Sequence, residues 1–88
     1  MKKLEQACTQ ARQHELKRLL KLIAERTTER GTLTELAHAV GTYKYTLSRW
    51  IRLGEVPPRS ASALLKMEGV NPPTGEKIEL QDLTPSLF

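Results

Sequence analysis

Within residues 41–54, GTYKYTLSRWIRLG, the chain sets Lys44, Tyr45, Ser48, Arg49 and Arg52 close together. On a helix, at 100° per residue, Tyr45, Ser48, Arg49 and Arg52 share one face and Lys44 joins them at the first turn. Arg and Lys donate to guanine O6 and N7, Ser donates or accepts, and Tyr bonds phosphate or packs on a thymine methyl. The face holds no acid. Residues 42–66 contain five Lys/Arg (44, 49, 52, 59 and 66) against one Glu, Glu55. A face that only needs to stay in water mixes both signs of charge, so this one is suited to a polyanion. Lys44, Tyr45, Ser48 and Arg49 are the candidates for base edges. Arg52, and Arg59 beyond it, are assigned to phosphate on charge and placement.

Such a helix must be held from behind. Leu47, Trp50 and Ile51 fall within about 100° on the other side and form a stripe for the core. Tyr43 and Gly54 lie on that same side. Trp50 is therefore a core residue rather than a base-stacking one. Tyr43 is placed on the core side of the first turn, with its hydroxyl still in reach of a phosphate.

The segment before it, TLTELAHAVG, has Thr32 as N-cap with Glu35 three places on, a capping box. Leu33, Leu36, Ala37 and Val40 form its apolar face, and Gly41 suits a left-handed closing turn. Thr42 is placed to cap the next helix at once. Two short helices joined through a Gly, with small Ala37 where they cross, describe a helix-turn-helix. GEVPPRS then breaks the chain, and Pro58 suits the first turn of another helix, RSASALLKME, closed by Gly69. NPPTG is a linker or turn, and residues 77–80 fit either a short strand or a final helical turn.

Upstream, Met1 to Arg30 contain neither Gly nor Pro and favour helix throughout. Leu16, Leu19, Leu20 and Ile23 keep the rhythm of a core-facing helix. Leu4, Cys8 and Ala11 form a thinner stripe roughly 90° around, and Leu22 returns to its line. Either the first 14 residues are a separate helix, or one long helix shows two faces to two partners. A second copy packed on Leu4, Cys8, Ala11 and Leu22 would make a homodimer with half-sites about 34 Å apart. The Lys/Arg of 12–30, balanced by Glu15, Glu25 and Glu29, are expected to form a solvated face.

Eighty-eight residues form one small domain. The net charge of +4 divides into +7 over residues 1–66 (13 Lys/Arg, 6 Glu) and −3 over residues 67–88 (1 Lys, 3 Glu, 1 Asp). One cysteine, Cys8, permits no intrachain disulfide and suits a reducing compartment, and no apolar run has the length of a membrane span. A soluble protein of the bacterial cytoplasm or nucleoid, without membrane attachment, is expected. His14 and His38 stand alone, with no second ligand at metal spacing. There is no paired carboxylate, no Ser-His or Cys-His set and no phosphate-cradling Gly loop, so an enzyme, a metal and a cofactor are not expected.

LTELAHAVGTYKYTLSRWIRLGEVPP resembles the helix-turn-helix of the Cro/CI class of phage regulators, more closely the small Cro-type and YdaS-like proteins. These share SRW, a Gly soon after it and a Pro-led next helix. The terminal QDLTPSLF is similar to the EDLRPDLF ending of YdaS-like chains, with Thr84 and Ser86 in place of Arg and Asp. The likeness covers residues 15–88. It implies an all-α, four- to five-helix repressor-like domain (15–70), preceded by an N-terminal helical extension (1–14) and followed by a C-terminal tail (71–88). It further implies a DNA-binding repressor of phage or prophage origin, dimeric on a partly palindromic operator, with helix 43–53 in the major groove. Lys44, Tyr45, Ser48 and Arg49 stand where that family contacts bases, and Thr34 where a phosphate contact is common. The antitoxin or autoregulator of a toxin operon, with a protein partner, and a protein-interaction module on the same fold are the other expectations.

Overall fold

The computed structural model describes the backbone of residues 2–87 and the side chains of residues 10–86. It is all-helical, with no strand among the described residues. The helices are α1 (Lys2–Thr27), α2 (Leu33–Ala39), α3 (Lys44–Leu53), α4 (Pro58–Leu65) and α5 (Leu80–Leu83), followed by a 3-10 turn, Pro85–Leu87. None of the described helices is long and apolar enough to cross a membrane.

Of the two arrangements open for the N-terminus, α1 adopts the single helix, 26 residues without a break. Leu16, Leu19, Leu20 and Ile23 are buried, and Ala24 joins them. The helix ends where Thr27 and Thr28 turn their hydroxyls back to the carbonyls of Ile23 and Ala24, at 2.7 and 2.6 Å. Leu4 and Cys8 lie outside the described side chains. Ala11 is exposed, whereas Leu22 is half-buried against the core. Leu22 therefore contributes to the domain's own packing, and little of it remains for a second copy.

α2 starts on Thr32, whose hydroxyl accepts from the Glu35 N–H at 3.1 Å. The Glu35 carboxylate reaches past Thr32 to the Arg30 N–H, at 3.2 Å, so the expected box closes two residues further out. At the far end Gly41 takes φ 75°, and the N–H of Thr42 bonds Ala37 O at 2.9 Å. This six-to-one bond closes α2 and uses the residue expected to open α3. The N-cap of α3 is Tyr43, in an extended conformation and without a side-chain cap. α3 closes in the same way: Gly54 is left-handed at φ 76° and Glu55 N–H bonds Trp50 O at 3.1 Å.

α4 begins at Pro58 as its fixed φ favours, and ends at Leu65, short of Gly69. The 77–80 segment makes no strand, because the Asn71 side chain occupies both backbone groups of Ile78. Its amide donates to Ile78 O at 2.8 Å and its oxygen accepts from Ile78 N–H at 2.7 Å. Ile78 is thereby pinned in the core, and α5 follows with reciprocal capping between Glu79 and Asp82. Val56 N–H bonds Leu83 O at 2.8 Å, and Leu83 and Thr84 are buried. The C-terminal segment is thus a wall of the core, which also takes in Leu36, Ala37, Leu47, Trp50, Val56, Ala61 and Leu64.

Candidate nucleic-acid interface

α3 buries Leu47 and Trp50, half-buries Ile51, and turns Lys44, Tyr45, Ser48, Arg49 and Arg52 outward. Its 100° periodicity separates the two sets cleanly, so the apolar stripe that docks the helix forces the polar set into solvent. The indole of Trp50 is 7% exposed and lines a groove of about 320 Å³ beside Val40, Thr46, Pro57 and Leu64. It belongs to the packing and not to the outward face.

Tyr43 departs from its expected place. It is 68% exposed, and its ring stacks on Tyr45, itself 71% exposed, with centroids 5.5 Å apart and planes within 11°. The wheel placed Tyr43 on the core side because it assumed helical geometry at 43. As N-cap, with φ −114° and ψ 154°, the residue leaves the chain in another direction. Together with Lys44, the two rings make an outward cluster at the start of α3. At the other end of the helix Leu53 is also exposed, at 64%.

The remaining candidates lie on neighbouring elements. Thr34 is exposed in the first turn of α2, and Arg59 is exposed in the first turn of α4. Among the described residues, Arg18, Arg30 and Lys77 are ion-paired with glutamates, but Lys44, Arg49, Arg52 and Arg59 are not. The one acid of residues 42–66 is also engaged. Glu55 accepts from the Ser86 N–H, and hydrogen bonds from the hydroxyl and backbone of Ser86 hold its carboxyl below the usual range. Its charge thus ties the α3–α4 connection to the C-terminal turn.

Sequence reasoning missed what holds the C-terminal end of α3. Arg12 donates through Nε and Nη2 to Gly54 O, at 3.2 and 2.9 Å, and through Nη2 to Asp82 O at 3.2 Å. One residue on, Gln13 Nε2 donates to Arg52 O at 2.7 Å. Two side chains of α1 thus satisfy carbonyls that every helix C-terminus leaves open, and the cation sits at the negative end of the dipole. Arg26 likewise donates to Val70 O at 2.9 Å and Glu76 O at 2.6 Å. Arg18 bridges Glu15 and Glu76, at 2.8 and 2.6 Å. Three of the arginines expected on a solvated face are instead ties to distant segments. In sequence Arg12 has Glu15 and Arg26 has Glu29 three places on, the spacing of a local surface pair, so neither residue type nor spacing signalled these ties.

His14 and His38 are exposed, and no group of three or more His, Cys, Asp or Glu side chains gathers among the described residues. Comparison with protein-family models, curated proteins and solved structures finds no match to this chain.

Proposed function

We propose that the protein is a sequence-specific double-stranded DNA-binding repressor of the Cro-like helix-turn-helix kind, with α3 laid in the major groove. The observation that carries this reading is the outward face of α3. It is acid-free, its cations lack ion-pair partners among the described residues, and the helix is fixed at both ends to the rest of the domain. Lys44, Tyr45, Ser48 and Arg49 meet base edges, while Arg52, Arg59, Thr34 and the Tyr43 hydroxyl meet the backbone. A homodimer, with the exposed Ala11 side of α1 as a contact, would read a partly palindromic operator.

Selection of binding sites from random duplexes at near-physiological salt tests the reading. An enriched palindrome fits the dimer, and an enriched single half-site keeps the reader without it. On the enriched site, Arg49→Ala should lose about 1–3 kcal/mol of specific binding with little change on random DNA. Arg52→Ala and Arg59→Ala should weaken both equally and each lower the salt slope by about one. No enrichment and no affinity for duplex DNA at moderate salt would refute the proposal.

A further inference from the structure

The face of α3 contains one feature that phosphate binding and guanine recognition leave unused. Two aromatic rings, Tyr43 and Tyr45, stand outward and cover one another in near-parallel planes. A tyrosine that only bonds phosphate uses its hydroxyl and has no need of a ring partner. A stacked pair instead makes a stiff apolar plate, with few rotamers left to lose on binding. The plate lies among cations, with Lys44 between the two rings in sequence and Arg49 one helical turn along, and no acid beside it. Its occupant is therefore both anionic as a whole and apolar at one point.

Duplex DNA meets both conditions at a single kind of atom. In an intact helix the base faces are stacked on one another, so the major groove shows only base edges. On those edges the one apolar group is the C5-methyl of thymine, or of a methylated cytosine; the rest are nitrogen and oxygen donors and acceptors. An apolar plate on a groove-lying helix has no other apolar target there.

We infer that the Tyr43–Tyr45 stack reads pyrimidine C5-methyl groups, which makes these two residues the specificity determinants for thymine in the bound site. This rests on the DNA-binding reading above and sharpens it. The centroid separation of 5.5 Å, set against a base-pair rise of about 3.4 Å, lets the two rings address neighbouring pairs. Arg49 follows Tyr45 by four residues, about 6 Å along the axis, which places its guanine close to two base pairs from the thymine. The half-site should hold one or two adjacent thymines with a guanine about two steps away.

The test takes the enriched duplex and replaces each thymine in turn by deoxyuridine, which removes the methyl and leaves base pairing intact. At one or two positions the unaltered protein should lose roughly four-fold in affinity per methyl, the size expected for uncovering one methyl-sized group. Cytosine at those positions should bind poorly, and 5-methylcytosine should recover part of the loss. The double variant Tyr43→Ala/Tyr45→Ala should bind thymine and deoxyuridine duplexes equally and Tyr45→Ala alone should lose discrimination at one position, whereas Tyr45→Phe should keep the discrimination because it keeps the ring. Both side chains are exposed, and circular dichroism verifies that the variants fold. Equal affinity for thymine and deoxyuridine at every position overturns the inference, as does methyl discrimination that survives the loss of both rings. An enriched site without thymine overturns it too, and leaves the DNA-binding reading standing. Failure of the unaltered protein to bind any duplex removes both.

Discussion

Arg12 offers the sharpest test of how α3 is held, and Arg12→Met is the substitution of choice. Methionine keeps a stem of similar length over Gly54, where an added Cβ would lie 3.2 Å from the Arg12 Cβ, and removes only the guanidinium. What is lost is a half-buried, charge-assisted tie to two carbonyls, Gly54 O and Asp82 O. Gly54 is buried, so its carbonyl is left poorly satisfied at about 1–3 kcal/mol. Asp82 is half-buried and water can replace part of its bond, at about 0.5–1 kcal/mol. The sum is about 1.5–4 kcal/mol, or roughly 6–30 °C in Tm for a domain of this size. Thermal and urea unfolding followed by circular dichroism measure it. Arg12→Lys, which keeps the charge but loses the fork, should recover about half. Amide exchange should accelerate first at the Gly54–Glu55 end of α3. A loss below about 0.5 kcal/mol, the size of an ordinary surface substitution, would refute the clamp.

Two further outcomes concern the glycine turns and the Arg18 bridge. Gly41 and Gly69 are both left-handed, at φ 75° and 91°, but an added Cβ meets nothing within 4 Å at Gly41 and lies 2.9 Å from the backbone oxygen of Arg26 at Gly69. Gly41→Ala should cost about 1 kcal/mol in urea unfolding and Gly69→Ala about 3 kcal/mol, with equal losses refuting the close approach. Glu15 and Glu76 are each held below the ordinary carboxyl range, chiefly by hydrogen bonds from Arg18. Depressed carboxyl pKa values stabilise the fold above the ordinary range of about 4.3, and that contribution is lost as pH falls through the folded values. Arg18→Met should therefore flatten the fall of stability below about pH 4.5, and a pH profile parallel to that of the unaltered protein would contradict the bridge.

What was legible in the sequence is what local rules govern. The Leu16–Ile23 rhythm, the left-handed glycine at 41 and the two faces of α3 depend on neighbours within a turn or two. The C-terminal segment was not legible because it is fixed by partners far along the chain: Asn71 on Ile78, Val56 on Leu83, and Arg12 on Asp82 across 70 residues. No periodicity encodes such ties. The arginines show the same limit, since residue type cannot separate a solvated guanidinium from one wrapped around carbonyls. Tyr43 shows a third kind of failure. A helical wheel describes only residues with helical φ and ψ, and this one sits a step outside, as the extended N-cap of α3.

These limits bear on how α3 is presented. Its N-terminal end is fixed by main-chain bonds of the α2 closure, and its C-terminal end by side chains of α1 and by the connection to α5. The helix is therefore held by groups that do not belong to its outward face. Lys44, Tyr45, Ser48 and Arg49 make none of these ties and line no core surface, so their replacement should change binding and leave stability within about 0.5 kcal/mol. Arg12 and Gln13 do the reverse, bonding main-chain carbonyls at the end of α3 and so fixing its angle against the domain. A variant at Arg12 that stays folded should accordingly weaken binding at all base positions together, whereas one at Tyr45 or Arg49 should relax only its own.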